Sequence, residues 1–369
     1  MSKSKIFWTD MRCAIGESLL TKLKKLIIKA GIGEIDFNNK YTAIKIHFGE
    51  PGNMAFLRPA WARVVVDYVK SRGGMPFLTD CNTLYVGRRN QALNHMEAAF
   101  ENGYTPFSTG CHNIIADGLK GTDDVEVPVQ GGVYCKTALI GRAIMDADIV
   151  LSLSHFKGHE NASFGGAIKN IGMGAGSRAG KMIMHNEGKP HVISNACTGC
   201  KVCSKYCAHG AINYGADKKA QIDHAKCAGC GRCMGVCNYN AIENWTGGSF
   251  DILNAKMAEY TKAVLDGRPN FHISVINQVS PYCDCHGESD APIIPDIGIF
   301  AGFDPVALDK ACLDAVNAAP AIKSSVLGER NAKFDDHFRN VHPDTNGISQ
   351  ITHGVKIGLG NSDYELIKI

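Results

Sequence analysis

The stretch ADIVLSLSH, residues 147–155, is an apolar run that ends on a histidine. A run of this length predicts a buried β-strand. Two earlier runs have the same form, because YTAIKI precedes His47 and MPFLT precedes Asp80. Ligands of open α/β sheets bind beyond the carboxyl ends of the strands, so we expect His47, Asp80 and His155 to converge on one cleft. The alternative for each residue, taken singly, is a loop position that caps its neighbour.

Helical patterns alternate with these strands. Segments 17–31, 57–74 and 304–319 carry apolar residues at helical spacing, and the first two end in glycine. Segments 271–280 and 295–302 predict further strands. Strands that alternate with helices predict an α/β domain with a mainly parallel sheet.

Eight of the fifteen cysteines fall in two runs of identical spacing. CTGCKVCSKYC (197–207) and CAGCGRCMGVC (227–237) both read C-x2-C-x2-C-x3-C, a pattern typical of bacterial proteins with two [4Fe–4S] clusters. In that arrangement, each cube takes three cysteines from one run and the fourth from the other. The predicted ligands are Cys197, Cys200, Cys203 and Cys237 for one cluster, and Cys227, Cys230, Cys233 and Cys207 for the second. The alternatives are zinc, which usually takes two C-x2-C pairs separated by a longer loop, and disulfides, which favour secreted chains.

The cysteine-rich block interrupts the alternation of helices and strands. We expect residues 188–246 to form a small α+β domain of ferredoxin-like type, inserted into a discontinuous α/β domain of residues 1–187 and 247–369. The block resembles the bacterial-type 2[4Fe–4S] ferredoxins, with AIN at 211–213 and AIE at 241–243 where that family repeats its helix-to-strand turn.

One feature departs from the ferredoxin pattern. The proline that usually follows the fourth cysteine is replaced by Ala208 in the first run and by Asn238 in the second. The change removes no ligand, so it bears on the reduction potentials rather than on the presence of the clusters.

A glycine-rich segment with many basic residues follows the 147–155 strand. SHFKGHENASFGGAIKNIGMGAGSRAGK, residues 154–181, suits an anion such as phosphate or carboxylate, and we expect a ligand-binding glycine loop. The alternative is a glycine loop packed against the cysteine-rich block. The known phosphate-loop and dinucleotide fingerprints fit poorly. The residues expected to bind a cofactor or anion are Lys169, Gly172, Gly174, Gly176 and Lys181, and the candidate catalytic proton donors are His155, His159 and His47.

The run YCDCHGES, residues 282–289, contains Cys283, Cys285 and His286. A C-x-C-H pattern can bind a metal, which would make a third metal site. Buried structural cysteines, or thiols near the cleft, are the interpretation that the sequence favours.

The charge balance excludes some partners. The chain has 39 basic and 36 acidic residues and a net charge of +3, which is too balanced to indicate nucleic acid or an anionic membrane surface. No apolar run reaches the roughly 18 residues that a membrane-spanning helix requires. The first residues show no apolar core of a signal peptide, so we expect a cytoplasmic protein.

Several longer motifs resemble one known family. FWTDMR, KIHFGEPGN, FLTDCNTLY, IIADGL and SHFKGHENASFGGAIKNIGMG occur in this order, and together with the inserted cysteine runs they resemble the domain of unknown function 362 family. The resemblance implies an iron–sulfur centre and no particular reaction. The pattern Phe164-Gly165-Gly166-x-x-Lys169, after paired histidines, is also similar to the nickel-pincer lactate racemases.

Three functions are consistent with these patterns. The first is a redox enzyme in which electrons pass through two [4Fe–4S] clusters to or from a substrate, or an additional organic redox cofactor, in the α/β domain. The second is a non-catalytic electron-transfer or maturation protein whose large domain binds a partner protein. The third is a metal–organic isomerase that resembles lactate racemase.

Overall fold

The computed structural model describes residues 3–84, 87–186, 190–207, 209–227, 233, 236–237, 239, 241–244, 250–330 and 332–369. Cys230, one of the eight expected cluster ligands, lies outside the described residues, as do both expected boundaries of the inserted domain. Among the described helices, none is both long and apolar enough to cross a membrane.

The strands are numbered in chain order. They are β1 Ser4–Asp10, β2 Tyr41–Lys45, β3 Met75–Asp80, β4 Asn113–Ile115, β5 Asp124–Pro128, β6 Thr137–Gly141, β7 Ile149–His155, β8 Lys157–His159, β9 Ser163–Gly165, β10 Pro190–Val192, β11 Ile212–Tyr214, β12 Ala220–Ile222, β13 Ile242–Asn244, β14 Asn270–Ile276, β15 Gly298–Gly302 and β16 Tyr364–Lys368.

The helices are numbered in the same way. They are α1 Leu19–Lys29, α2 Pro59–Ser71, α3 Ala92–Glu101, α4 Pro106–Thr109, α5 Arg142–Met145, α6 Ala167–Ala175, α7 Arg178–Asn186, α8 Val202–Lys205, α9 Phe250–Leu265, α10 Pro305–Ala318, α11 His337–Val341 and α12 Ile348–Lys356.

One eight-stranded sheet organises the molecule, in the order β16-β1-β15-β14-β7-β2-β3-β4. β15 runs antiparallel to both of its neighbours, and every other neighbouring pair in this sheet is parallel. The expected α/β fold with a mainly parallel sheet is therefore confirmed.

Helices cover both faces of the sheet, as the continuous apolar strands require. On β7, Leu151 and Leu153 pack with α1 and α2 in one core, whereas Val150 packs with α6 and α9 on the opposite face. α10 begins where the sequence predicts it, because the Asp304 carboxylate accepts hydrogen bonds from the backbone N–H groups of Val306 and Ala307.

The expected glycine loop is wrong, since most of the segment forms the β8–β9 hairpin and helices α6 and α7. Two of its glycines allow close packing of backbones. A Cβ on Gly172 would lie 2.1 Å from the carbonyl oxygen of Met257 in α9, and a Cβ on Gly180 would lie 2.4 Å from that of Leu139. Only glycine permits these approaches, so helix packing explains these two glycines.

The cysteine-rich region contains two short antiparallel ribbons, β10–β13 and β11–β12. Its backbone hydrogen bonds repeat at an interval of thirty residues. Ile193 N–H donates to the Ala241 carbonyl at 2.9 Å, and Asp223 N–H donates to the Ala211 carbonyl at 2.7 Å. The thirty-residue repeat of the cysteines is therefore also a repeat of backbone structure.

Candidate functional site

A cavity of about 390 Å³ lies beyond the carboxyl ends of β2, β3 and β7. The three strands deliver His47, Asp80 and His155 to its wall, as the sequence predicts. The sheet produces this convergence because parallel neighbours all end at the same edge. The volume is in the range of small-molecule binding sites.

Most of the residues singled out in the sequence meet at this cavity. His47, His155, His159, Lys169, Gly174 and Lys181 all line it. Gly172 and Gly176 do not: Gly172 faces α9, and Gly176 ends α6 beside the Met184 side chain. The cavity is thus lined by the cations and histidines of the segment more than by its glycine backbone.

Among the residues that the structure describes, five with cationic side chains line the cavity: Lys45, Arg89, Lys157, Lys169 and Lys181. Those on the β2–β3 side are neutralised by carboxylates. Lys45 Nζ lies 3.0 Å from the Asp80 carboxylate, and Arg89 Nε lies 2.9 Å from the Glu50 carboxylate. Burial alone would raise the pKa of Asp80, but Lys45 and its cationic neighbours hold that pKa below its ordinary range.

The opposite side carries Lys157 and Lys169, which both approach the sulfur of Cys283. Lys157 Nζ lies 3.3 Å and Lys169 Nζ lies 3.7 Å from Cys283 Sγ. Burial by itself would raise the pKa of Cys283, but the Cys285 thiol, the two lysines and His159 together hold that pKa well below its ordinary value. Cys283 is buried and lines the cavity, and its surroundings favour the thiolate form.

His159 adopts one defined tautomer. Its Nδ1 accepts hydrogen bonds from the backbone N–H groups of Asn161 at 3.0 Å and Ala162 at 3.1 Å. A nitrogen that accepts carries no proton, so the neutral ring bears its proton on Nε2 and bonds Cys283 with it. Burial and the neighbouring Lys169 lower the pKa of His159, which favours this neutral form.

His47 is held in the same tautomer on the other side of the cavity. Its Nδ1 accepts the backbone N–H of Gly49 at 3.0 Å, which leaves Nε2 with the proton. Burial and the charge of Arg89 lower the pKa of His47 well below its usual value. The neutral form of His47, with its proton on Nε2, is therefore favoured at the wall of the cavity.

His155 has both ring nitrogens occupied. Nδ1 lies 2.9 Å from the Asp284 carboxylate, and Nε2 lies 2.8 Å from the Asn277 carbonyl. Both partners are acceptors, so the ring fixes the loop between β14 and β15 that carries Cys283. Protein groups therefore engage both ring nitrogens of His155, as they do those of His159, and the role of proton donor stays a prediction for both residues.

Two groups of described side chains have ligand atoms within 4.8 Å of one another: His159, Cys283 and Cys285, and Glu160, Cys285 and His286. The first fits a cation poorly, because two ammonium groups already contact Cys283 and the Nε2 of His159 is protonated. In the second, His286 Nε2 lies 3.0 Å from Glu160, and this bond raises the pKa of His286. A raised pKa means that protons compete more strongly with a metal ion for His286.

A second, much smaller cavity lies in the cysteine-rich region. Its wall includes all four cysteines of one expected cluster: Cys197, Cys200, Cys203 and Cys237. Backbone N–H groups point at two of the sulfurs, from Ala220 to Cys197 at 3.4 Å and from Ala241 to Cys237 at 3.3 Å.

The two cavities share a wall. Ile242, the first residue of β13, lines both the small cavity and the large one. Leu84 also lines the large cavity, and it packs against the apolar cluster that contains Cys197, Cys203 and Cys233. No sequence pattern indicates this junction, because it joins segments that are far apart in the chain.

The model of one protein family, described as "Domain of unknown function (DUF362)", matches residues 42–314. No curated protein matches the chain.

Two solved structures show a distant similarity. A crystal structure of a Thermotoga maritima protein, a Northeast Structural Genomics Consortium target, is 11% identical with a TM-score of 0.40, and the match covers 81% of this chain and 58% of that one. The lactate racemase apoprotein from Thermoanaerobacterium thermosaccharolyticum is 13% identical with a TM-score of 0.34, and the match covers 74% and 51%. The chain thus spans little more than half the length of either protein, and neither likeness assigns it an activity.

Proposed function

The chain belongs to the domain of unknown function 362 family, and we propose that it is an iron–sulfur redox enzyme. Residues 188–246 form a ferredoxin-type unit with two [4Fe–4S] clusters, inserted between residues 1–187 and 247–369. The cavity at the carboxyl ends of β2, β3 and β7 binds a small anionic substrate or cofactor, which exchanges electrons with the clusters.

The side chains around the small cavity fit a cubic cluster. Four thiols surround one space, and the N–H groups of Ala220 and Ala241 are directed at sulfurs, which is the hydrogen bonding that tunes cluster potentials. Bound there, a [4Fe–4S] cluster supplies a one-electron donor or acceptor. Cys197, Cys200, Cys203 and Cys237 would hold it.

The repeat supports an equivalent second site. Ala211 N–H donates to Cys207 Sγ at 3.3 Å, and the Ala241 bond to Cys237, thirty residues later, has the same length. Cys207, Cys227, Cys230 and Cys233 would hold the second cluster, with Cys230 outside the described residues. The two fourth cysteines therefore have matching environments.

The shared wall residue, Ile242, is the observation that carries the proposal. A relay that served only an external partner would have no reason to adjoin a buried small-molecule cavity. A residue common to the walls of both sites favours electron exchange within this one chain, over the alternative of a carrier that only docks a partner protein.

The cavity itself favours an anionic ligand of small size. Lys157 and Lys169 present positive charge on one side, and the Nε2–H of His47 supplies a donor on the other. Lys157, His155 and His159 are each at most 6% exposed, so these side chains lie in a largely buried environment. Charge and hydrogen-bond interactions are strengthened in such an environment.

Iron and sulfide analysis of anaerobically purified protein tests the clusters. We expect about eight irons and about eight sulfides per chain, four of each for every cube. Zinc in place of iron, or fewer than about four irons, would overturn the proposal.

Reoxidation of the reduced protein tests the link to the cavity. Chemically reduced protein is mixed with small organic anions such as 2-oxo acids and enoates, and the visible absorbance of the clusters is followed. We expect at least one class of organic anion to reoxidise the wild-type protein but not Lys169→Met. The control Lys22→Met, which replaces a lysine bound to Asp10 on the far side of the sheet, should behave as wild type. Reoxidation that is equal in all three proteins would favour the non-catalytic carrier.

A further inference from the structure

The surroundings of Cys283 are those of a reactive thiol. Its sulfur is completely buried yet lines the cavity, and it receives Lys157 Nζ at 3.3 Å and Lys169 Nζ at 3.7 Å. The backbone N–H of Cys285 lies 3.4 Å from the same sulfur. An apolar site would suit a neutral structural thiol, so three donors on one sulfur indicate a thiolate that the fold maintains.

Cys285 is the second thiol of the pair. Its sulfur lies within 4.8 Å of Cys283 Sγ, and a turn closed by the hydrogen bond from His286 N–H to the Cys283 carbonyl holds the two residues together. Its hydrogen bond to Cys283 is the main cause that raises the pKa of Cys285 well above its ordinary value, and burial adds to the effect. One sulfur is thus a thiolate and its neighbour a thiol.

A thiol of low pKa beside a thiol of high pKa is the arrangement found in redox-active dithiols. The thiol of low pKa attacks a disulfide or leaves as a thiolate, and the thiol of high pKa resolves the intermediate. Cys111 provides a contrast within the same chain, because burial raises its pKa to about 11. An ordinary buried thiol of this protein is therefore protonated at neutral pH.

We propose that Cys283 and Cys285 form a redox-active pair that opens and closes a disulfide at the wall of the cavity. The Cys283 thiolate attacks a small disulfide RSSR, which forms a Cys283–S–SR bond and releases RS⁻. Cys285 then gives up its proton and attacks Cys283 Sγ, which forms the Cys283–Cys285 disulfide and releases the second RS⁻. The two leaving thiolates take up the Cys285 proton and one from solvent, so the dithiol loses two electrons and RSSR becomes two RSH.

The pair itself does not depend on the clusters, whereas its place as the electron acceptor of the cavity rests on the proposed function. A disulfide takes two electrons, and two clusters that each transfer one electron match that requirement. The adjoining wall at Ile242 brings the two kinds of site together.

Mass spectrometry of the wild-type protein tests the chemistry directly. Anaerobic protein is treated with 2-hydroxyethyl disulfide, which is small and uncharged, then quenched in acid, alkylated and digested. We expect the peptide that contains Cys283 and Cys285 to lose two hydrogens and to escape alkylation, while Cys111 in the same digest is fully alkylated. A lasting hydroxyethyl adduct on wild-type Cys283, or two alkylated cysteines in this peptide, would overturn the proposal.

The Cys285→Ser variant supplies the second readout. We expect it to retain the hydroxyethyl adduct on Cys283, because no resolving thiol is present. In a reductive titration after treatment and removal of the reagent, wild type that contains the disulfide should take up about two electrons more per chain than untreated wild type. An equal uptake before and after treatment would contradict a disulfide. If Cys285→Ser does not fold, the mass spectrometry and the titration of the wild-type protein still decide whether the disulfide forms.

The same titration separates this inference from the proposed function. With both clusters present, treated wild type should take up about four electrons, two in the clusters and two in the disulfide. A total of about two, together with absent iron and absent visible absorbance, would refute the iron–sulfur proposal and leave the dithiol pair supported. About eight irons per chain with no additional electron uptake after treatment would support the iron–sulfur proposal and refute the dithiol pair.

Discussion

Replacing Lys157 with methionine should weaken the thiolate of Cys283. The ammonium group lies 3.3 Å from the sulfur, and both side chains are buried. At an effective dielectric constant of about 20, one pair of unit charges at this separation interacts by about 5 kcal/mol. Lys169 stays in place and water can enter the vacated space, so we expect the thiolate to lose at least about 1.4 kcal/mol of stabilisation, which is a factor of about ten.

The rate at which iodoacetamide alkylates Cys283, measured by mass spectrometry across a range of pH, reports this loss. Only the thiolate reacts, so the rate rises with pH until the thiol is fully ionised. On the acidic limb of this profile, Lys157→Met should react at least about ten times more slowly than wild type. Its profile should be displaced to higher pH, because the neutral thiol is now relatively favoured.

Two variants serve as controls. Lys157→Arg keeps the positive charge and should remain near the wild-type rate. Lys22→Met removes another buried lysine, bound to Asp10 at 2.8 Å, and should leave the profile of Cys283 unchanged. If Lys157→Met is folded, its Cys111 is as unreactive as in wild type, and its Cys283 still has the wild-type profile, then the lysine does not maintain the thiolate. That result would refute the reasoning.

Three further outcomes follow from the structure. Gly172→Ala should lower the free energy of unfolding by about 1–3 kcal/mol, because its Cβ would meet the backbone of α9. In Gly176→Ala the close contact is with a flexible methionine methyl, and the backbone atoms lie at ordinary contact distance, so the loss of stability should be smaller. Thermal denaturation of both variants checks this, and an equal loss would contradict it. His286→Gln should destabilise the protein most between about pH 4.5 and 6.5. The raised pKa of His286 contributes stability that is lost as pH rises, and the lowered pKa of Glu160 contributes stability that is lost as pH falls. Urea unfolding at pH 5.5 and 8 measures the loss of stability relative to wild type, which should be larger at pH 5.5. Cys237→Ala should halve the iron content, from about eight to about four per chain, and unchanged iron would remove this residue from the proposed ligands.

The sequence alone was sufficient for the mainly parallel α/β sheet and for the edge of that sheet that carries the cavity. An apolar strand followed by a polar residue predicts both a buried strand and a side chain at its carboxyl end, so His47, Asp80 and His155 could be assigned to one cleft. The cysteine spacing likewise groups Cys197, Cys200 and Cys203 locally. These features depend on residues that are near one another in the chain, where spacing determines geometry.

Tertiary structure decided the chemistry of the cavity. Whether Cys283 is a thiol or a thiolate depends on Lys157, which is 126 residues away, and on Lys169, which is 114 residues away, and no local pattern encodes such an encounter. The same holds for Gly172, whose role depends on a helix that begins 78 residues later and passes against it. A pKa and a packing contact both depend on distances of a few ångströms between remote segments, because charge interactions and steric contacts fall off over that scale. Such distances exist only once the chain has folded.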